Sequence, residues 1–208
     1  MKNRYSFARL FSPFFLFFLI VYVLFVCWAY LSCFNAAASL WQNVPQEFLR
    51  IKIYGSSESE GIPGVNTVSG TFSIIDSNGN EIAVIERSWS GSYLSVEFAR
   101  VCIDSQYFVF PSRIYGKNRI IEERRERSHG TFLEKYYDDE GQCMLLGYGS
   151  SLSQRKKLYK IAAFATGKYK IPTFGLVNRF SIDLSDCRAD RYYSIRFDSN
   201  GQFSVEEL

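Results

Sequence analysis

The stretch Thr71-Phe72-Ser73-Ile74-Ile75-Asp76-Ser77-Asn78-Gly79-Asn80-Glu81-Ile82-Ala83-Val84-Ile85-Glu86 reads as two strands folded back on one another. Apolar residues crowd both sides of a polar turn, and Asn78-Gly79 supplies the positive-φ positions that a tight hairpin favours. The same pattern returns near the C-terminus, where Tyr193-Ser194-Ile195-Arg196-Phe197 leads into Asp198-Ser199-Asn200-Gly201 and Phe203-Ser204-Val205 leads out. Tyr136-Tyr137-Asp138-Asp139-Glu140-Gly141-Gln142 is a third relative. Their spacings are unequal and the sequences between them differ, so these are three hairpins and not a repeat.

Outward from these hairpins the chain stays β-like. Phe48 to Tyr54 alternates, with Leu49, Ile51 and Ile53 on one face and Phe48, Arg50, Lys52 and Tyr54 on the other. Tyr93 to Ala99 and Tyr107 to Tyr115 read as two more strands, and Pro111 in the second suits an edge or a strand end. Gly55 to Gly64, with Pro63 and an acidic Ser-Glu-Ser-Glu, is expected to be a loop, and Lys117 to Arg127, with eight charges of mixed sign, a solvated face or the extension of a long exposed hairpin. Outside the N-terminal region one helix is expected, Ser153 to Ala165, because Leu158, Ile161, Ala162 and Ala165 fall on one stripe between a Ser153 cap and Gly167. The predicted fold class is mainly β, an antiparallel sandwich or barrel with one or two short helices, preceded by a single transmembrane helix.

That transmembrane helix is the uncharged run Phe14 to Phe34, whose 21 positions span roughly 30 Å at about 1.5 Å per residue, the thickness of bilayer hydrocarbon. Lys2, Arg4 and Arg9 precede it and Arg50 is the first basic residue after it. The positive-inside bias therefore puts the N-terminus in the cytosol and the domain outside. The expected layout is a basic tail over 1–10, a signal-anchor over 11–34, a spacer over 35–47 and an extracytoplasmic domain over 48–208. Trp28, Tyr30 and Trp41 suit an aromatic belt at the outer interface. Two other fates of the N-terminus are encoded nearby. Asn35-Ala36-Ala37-Ala38-Ser39 resembles a signal-peptidase site, which would give a secreted protein, and Leu31-Ser32-Cys33 partly resembles a bacterial lipobox. The apolar run is longer than the ~7–15 residues of a signal h-region, which favours retention.

The formal charge of +3 is wholly in that tail, since the chain after it carries 21 basic and 21 acidic side chains. A neutral domain lacks the electrostatic footprint of a nucleic-acid binder, so that partner class is set aside. No Asn is followed by the x-Ser/Thr of a glycosylation sequon, which favours a bacterial envelope, with the domain facing periplasm or exterior. Cys102, Cys143 and Cys187 lie outside the membrane run and allow at most one disulfide, whereas Cys27 sits within it as a small apolar filler.

Chemistry-bearing motifs are few. Asp76, Asn78 and Asn80 occupy the first, third and fifth places of a calcium loop, but Glu81 and Arg87 stand where such a loop needs Gly and an acid, so the hairpin turn is preferred. One histidine, His129, cannot supply an ordinary zinc site, and no cofactor is expected. The one nucleophile constellation that can be written is Cys187 with His129 as base and Arg191 or Arg196 as oxyanion partner. Ser181-Ile182-Asp183-Leu184-Ser185-Asp186-Cys187, a strand ending in Cys with an Arg soon after, resembles the sortase pattern in outline and implies a cysteine transpeptidase. Asp183, Leu184, Ser185 and Asp186 fill the places of that family's Thr-Leu-x-Thr before the Cys, so the departures are the two acids, and these carboxylates would raise the thiol pKa. The remaining feature is an acid-free stretch from Gly141 to Ile182 that holds Arg155, Lys156, Lys157, Lys160, Lys168 and Lys170 interleaved with Tyr159, Phe164 and Tyr169. It is a candidate binding surface for anionic lipid, an envelope polymer or a partner protein. The reading reached is a membrane-anchored extracytoplasmic binding or assembly module without catalytic chemistry. The alternatives are the transpeptidase, and a cleaved secreted protein or lipoprotein.

Overall fold

A computed structural model describes residues 4–40, 46–58, 66–118, 129–198 and 202–208. Trp41, Pro63, most of the charged run 117–127 and the Asn200-Gly201 turn lie outside the described residues. The first element is α1 (Arg4–Ala37), of which Pro13–Ala37 is long and apolar enough to cross a membrane. The strands are β1 (Gln46–Glu58), β2 (Asn66–Ile75), β3 (Glu81–Ser90), β4 (Tyr93–Ile103), β5 (Gln106–Lys117), β6 (Thr131–Phe132), β7 (Asp138–Asp139), β8 (Gln142–Cys143), β9 (Val177–Asp183), β10 (Tyr192–Phe197) and β11 (Phe203–Glu207). Two further helices lie among them, α2 (Glu134–Tyr137) and α3 (Leu152–Thr166), with a 3-10 turn over Met144–Leu146.

All the described pairings are antiparallel, so the mainly β expectation holds. A five-stranded sheet runs β11-β10-β1-β2-β3 and a four-stranded sheet runs β6-β5-β4-β9. They face each other through an aromatic layer, where the Phe98 ring of β4 lies 6.2 Å from Phe48 of β1 and 4.8 Å from Phe203 of β11. Leu49, Ile51 and Ile53 are buried and Tyr54 is exposed, as alternation requires. Phe48 breaks the alternation and is buried too, because a bulge between Glu47 and Leu49 turns it into the core. Pro111 likewise adjoins a bulge: Glu97 and Phe98 of β4 face Arg113 and Pro111, leaving Ser112 as the extra residue, and β6 pairs with β5 only at Arg113 and Ile114, so at Pro111 itself β5 runs as an edge.

The β2–β3 hairpin forms around Asp76–Asn80, but Gly79 alone there has positive φ, so it is not a two-residue turn. The Asp76 carboxylate closes it, accepting from the Asn78 and Asn80 N–H groups at 2.8 Å each. Tight two-residue turns with both φ positive are found instead at Asp104-Ser105 between β4 and β5, at 49° and 64°, and at Glu140-Gly141 between β7 and β8, at 48° and 82°, which forms the third expected hairpin. Helix α3 carries the expected stripe, with Leu158, Ile161, Ala162 and Ala165 buried and Gly167 at φ 84° closing it. Its cap is Ser151 and not Ser153, in a reciprocal capping box with Gln154.

Helix α3 packs on the second sheet from the side opposite the first sheet, and the end of α1 packs on α3. Here the chain departs from the expected spacer: α1 continues to Ala37, and Ala29, Cys33, Ala36, Ala37 and Leu40 are all at most 3 % exposed within the core of the domain. The Tyr30 ring meets Phe164 of α3 edge to face at 5.1 Å. Phe14 to Phe25, by contrast, is exposed on every side. The five cysteines are all free, and the thiol of the buried Cys143 is pushed up to about 12 by burial.

Candidate binding surfaces

The basic stretch resolves into three kinds of side chain. Arg155 is tied down, donating to Gln142 Oε1 and to the Tyr148 carbonyl at 3.1 Å each. Lys168 is held by Asp138 at 2.8 Å and Tyr159 at 2.7 Å, and these hydrogen bonds keep its ammonium above the ordinary lysine range. Lys156, Lys160 and Lys170 are exposed and Lys157 is half-buried. The aromatic partners turn inward, with Phe164 buried and Tyr159 and Tyr169 half-buried. Of these charges, that of Lys168 is paired with a carboxylate, Asp138, brought in by β7. The C-terminal hairpin spends its acids elsewhere, with Glu206 and Glu207 near Arg196 and Arg191 at 3.6 Å.

Cys187 lines a cleft of about 220 Å³ with Gly55, Ser92, Tyr93 and Ser185. Burial, then Asp186 and Glu207, push its thiol up to about 11, the wrong direction for a nucleophile. His129 stands just before β6, whereas Cys187 follows β9, and β6 and β9 are opposite edges of one sheet. Three inter-strand spacings separate those edges, roughly 14 Å. The Cys-His-Arg constellation is therefore not assembled. Beside this cleft Lys117, 3 % exposed, donates to both oxygens of Asp183 at 2.9 and 3.0 Å. Burial opposes its charge, but the Asp183 bonds outweigh it and raise the ammonium above its usual range. This pair ties the end of β5 to the end of β9 across β4.

A surface that sequence reasoning did not single out lies on the outer face of the five-stranded sheet. Arg50, Lys52, Tyr54, Thr71, Ser73, Glu81 and Tyr192 line a shallow cleft of about 110 Å³. Lys52 and Tyr192 are direct cross-strand partners, and the Lys52 ammonium sits 5.3 Å from the Tyr192 ring and 5.5 Å from the Tyr54 ring. Tyr54 is pinned by a 2.6 Å hydrogen bond to Thr71 Oγ1. Arg50 grips Glu47 with two bonds of 2.9 Å, and Ser194 adds a third at 2.8 Å. Burial would raise that carboxyl, but these donors hold it below the ordinary range. The β1 alternation contained Arg50, Lys52 and Tyr54, but the second ring comes from β10, some 140 residues further along, a pairing that no local pattern encodes.

Comparison with protein-family models, with curated proteins and with solved structures returns no match.

Proposed function

We infer that the chain is a retained single-pass membrane protein with a cytosolic N-terminus, whose external domain serves as a non-catalytic binding or assembly module of a bacterial cell envelope. The observation that carries this reading is the burial of Ala29, Cys33, Ala36, Ala37 and Leu40 in the core of the domain. Signal peptidase would have to cut within or beside a helix that the domain has packed, and acylation at Cys33 would need a side chain that is 2 % exposed. The basic residues Lys2, Arg4 and Arg9 support the orientation.

Mass spectrometry of the chain purified from membranes is expected to find residues 1–40 present and Cys33 unmodified. A reporter fused after Leu208 is expected to be active outside the cytosol. A mature form beginning after Ala38, or a reporter active in the cytosol alone, would overturn the reading.

The face best built for a ligand is the outer face of the five-stranded sheet, because it lies in the layer farthest from α1 and presents two tyrosine rings around one cation. A photoreactive residue at Tyr192 is expected to capture an envelope polymer or protein in intact cells. Equal labelling from Tyr192 and from Tyr148, a 78 % exposed residue outside this face, would remove the assignment.

A further inference from the structure

Ile171 to Leu176 forms a loop with one side chain that the fold does not use. Thr173 accepts from the Leu176 N–H at 2.9 Å, and the two residues between them, Phe174 and Gly175, have φ of 45° and 82°. Such a turn favours Asn or Gly at its first positive-φ place, and a bulky residue there is strained. Phe174 nevertheless holds it while 78 % exposed. An aromatic ring at the tip of a strained turn, buried in nothing, calls for a neighbour outside the domain.

The loop's position names that neighbour. The Phe174 ring lies 6.1 Å from the ring of Tyr30 in α1, and the Tyr30 hydroxyl donates to the Pro172 carbonyl at 2.7 Å. Tyr30 lies four residues before Phe34, the outer end of the apolar run, about 6 Å inside it along the helix, so it stands in the outer leaflet near the headgroups. Around the same level Trp28 and Leu31 are exposed, at 56 % and 64 %. Lys170, exposed and also at positive φ, sits four residues before Phe174. The geometry points to a second membrane contact: the 171–176 loop dips into the outer leaflet of the bilayer that α1 spans, with Phe174 among the acyl chains near the headgroups and Lys170 at the phospholipid phosphates. The inference rests on the reading of α1 as a retained span.

The test uses the full chain in phospholipid vesicles, with a photoreactive benzoylphenylalanine at 174 and, as a control, at Val84, which is 57 % exposed on the outer face of the far sheet. Any L residue at 174 meets the same backbone strain that Phe does, so the replacement leaves the fold as it is. A lipid adduct is expected at 174 and none at 84. No lipid adduct at 174, in chain that resists alkaline extraction from the vesicles, would overturn the loop contact alone. Release of the chain by alkaline extraction would overturn the anchor reading, and the loop contact with it.

Discussion

Removal of residues 1–40 is expected to destabilise the remaining domain by about 5 kcal/mol or more, since a large apolar side chain loses about 1.5–3 kcal/mol when its cover goes. The truncation strips Leu40 and the small buried face of α1 from the core and uncovers Phe164, which is 1 % exposed in the full chain. Against a total folding free energy of roughly 5–15 kcal/mol, that loss leaves a marginal or molten domain. The measurement is a urea transition of the full chain and of the truncated chain in the same mild detergent, with dye binding to report exposed apolar surface. Equal midpoints would mean that α1 merely touches the domain.

Phe98→Ala is the second large effect, with an expected cost of about 4 kcal/mol, in the range for truncating a buried aromatic where the cavity cannot collapse. Phe98 is fully buried and stacks on Phe180 at 5.9 Å while touching Phe48 and Phe203 from the facing sheet. Three rings from strands of both sheets meet at this one side chain, so few neighbours can move to fill the space. Denaturant unfolding should show the shift, while Tyr107→Ala, at a 42 % exposed position on β5, should move the midpoint far less. A loss of under about 1 kcal/mol for Phe98→Ala would contradict the face-to-face packing of the sheets.

Both effects arise where local sequence patterns stop being informative. The strands, the stripe of α3 and its glycine-closed end were legible, because alternation, the 3.6-residue period and a terminal Gly are written within a few residues of one another, whereas the choice of Ser151 over Ser153 as cap rests on Gln154 completing the capping box. Bulges were not legible. Phe48 and Pro111 each sit where one extra residue shifts the register, and the sign of that shift depends on the partner strand. The turn at Asp104-Ser105 carried a weaker signature than Asn78-Gly79, yet both of its residues have positive φ, whereas Asn78 does not. The small residues Ala36 and Ala37 read as a spacer or a cleavage site, because what makes them core is a helix more than 100 residues away in sequence. The basic stretch was recognisable as charge, but which ammonium groups are already paired depends on Asp138 and Gln142, delivered by the β7–β8 ribbon.

The pairing of β1 with both β2 and β10 has a consequence for synthesis. Synthesis runs from the N-terminus, so β1, which ends at Glu58, and β2 are made long before β10, which begins at Tyr192. Until Tyr192 onward has been made, β1 pairs with β2 alone and presents an open edge. The nascent domain therefore waits with its central strand half-paired, and its exposure to proteases and chaperones lasts until β10 is in place.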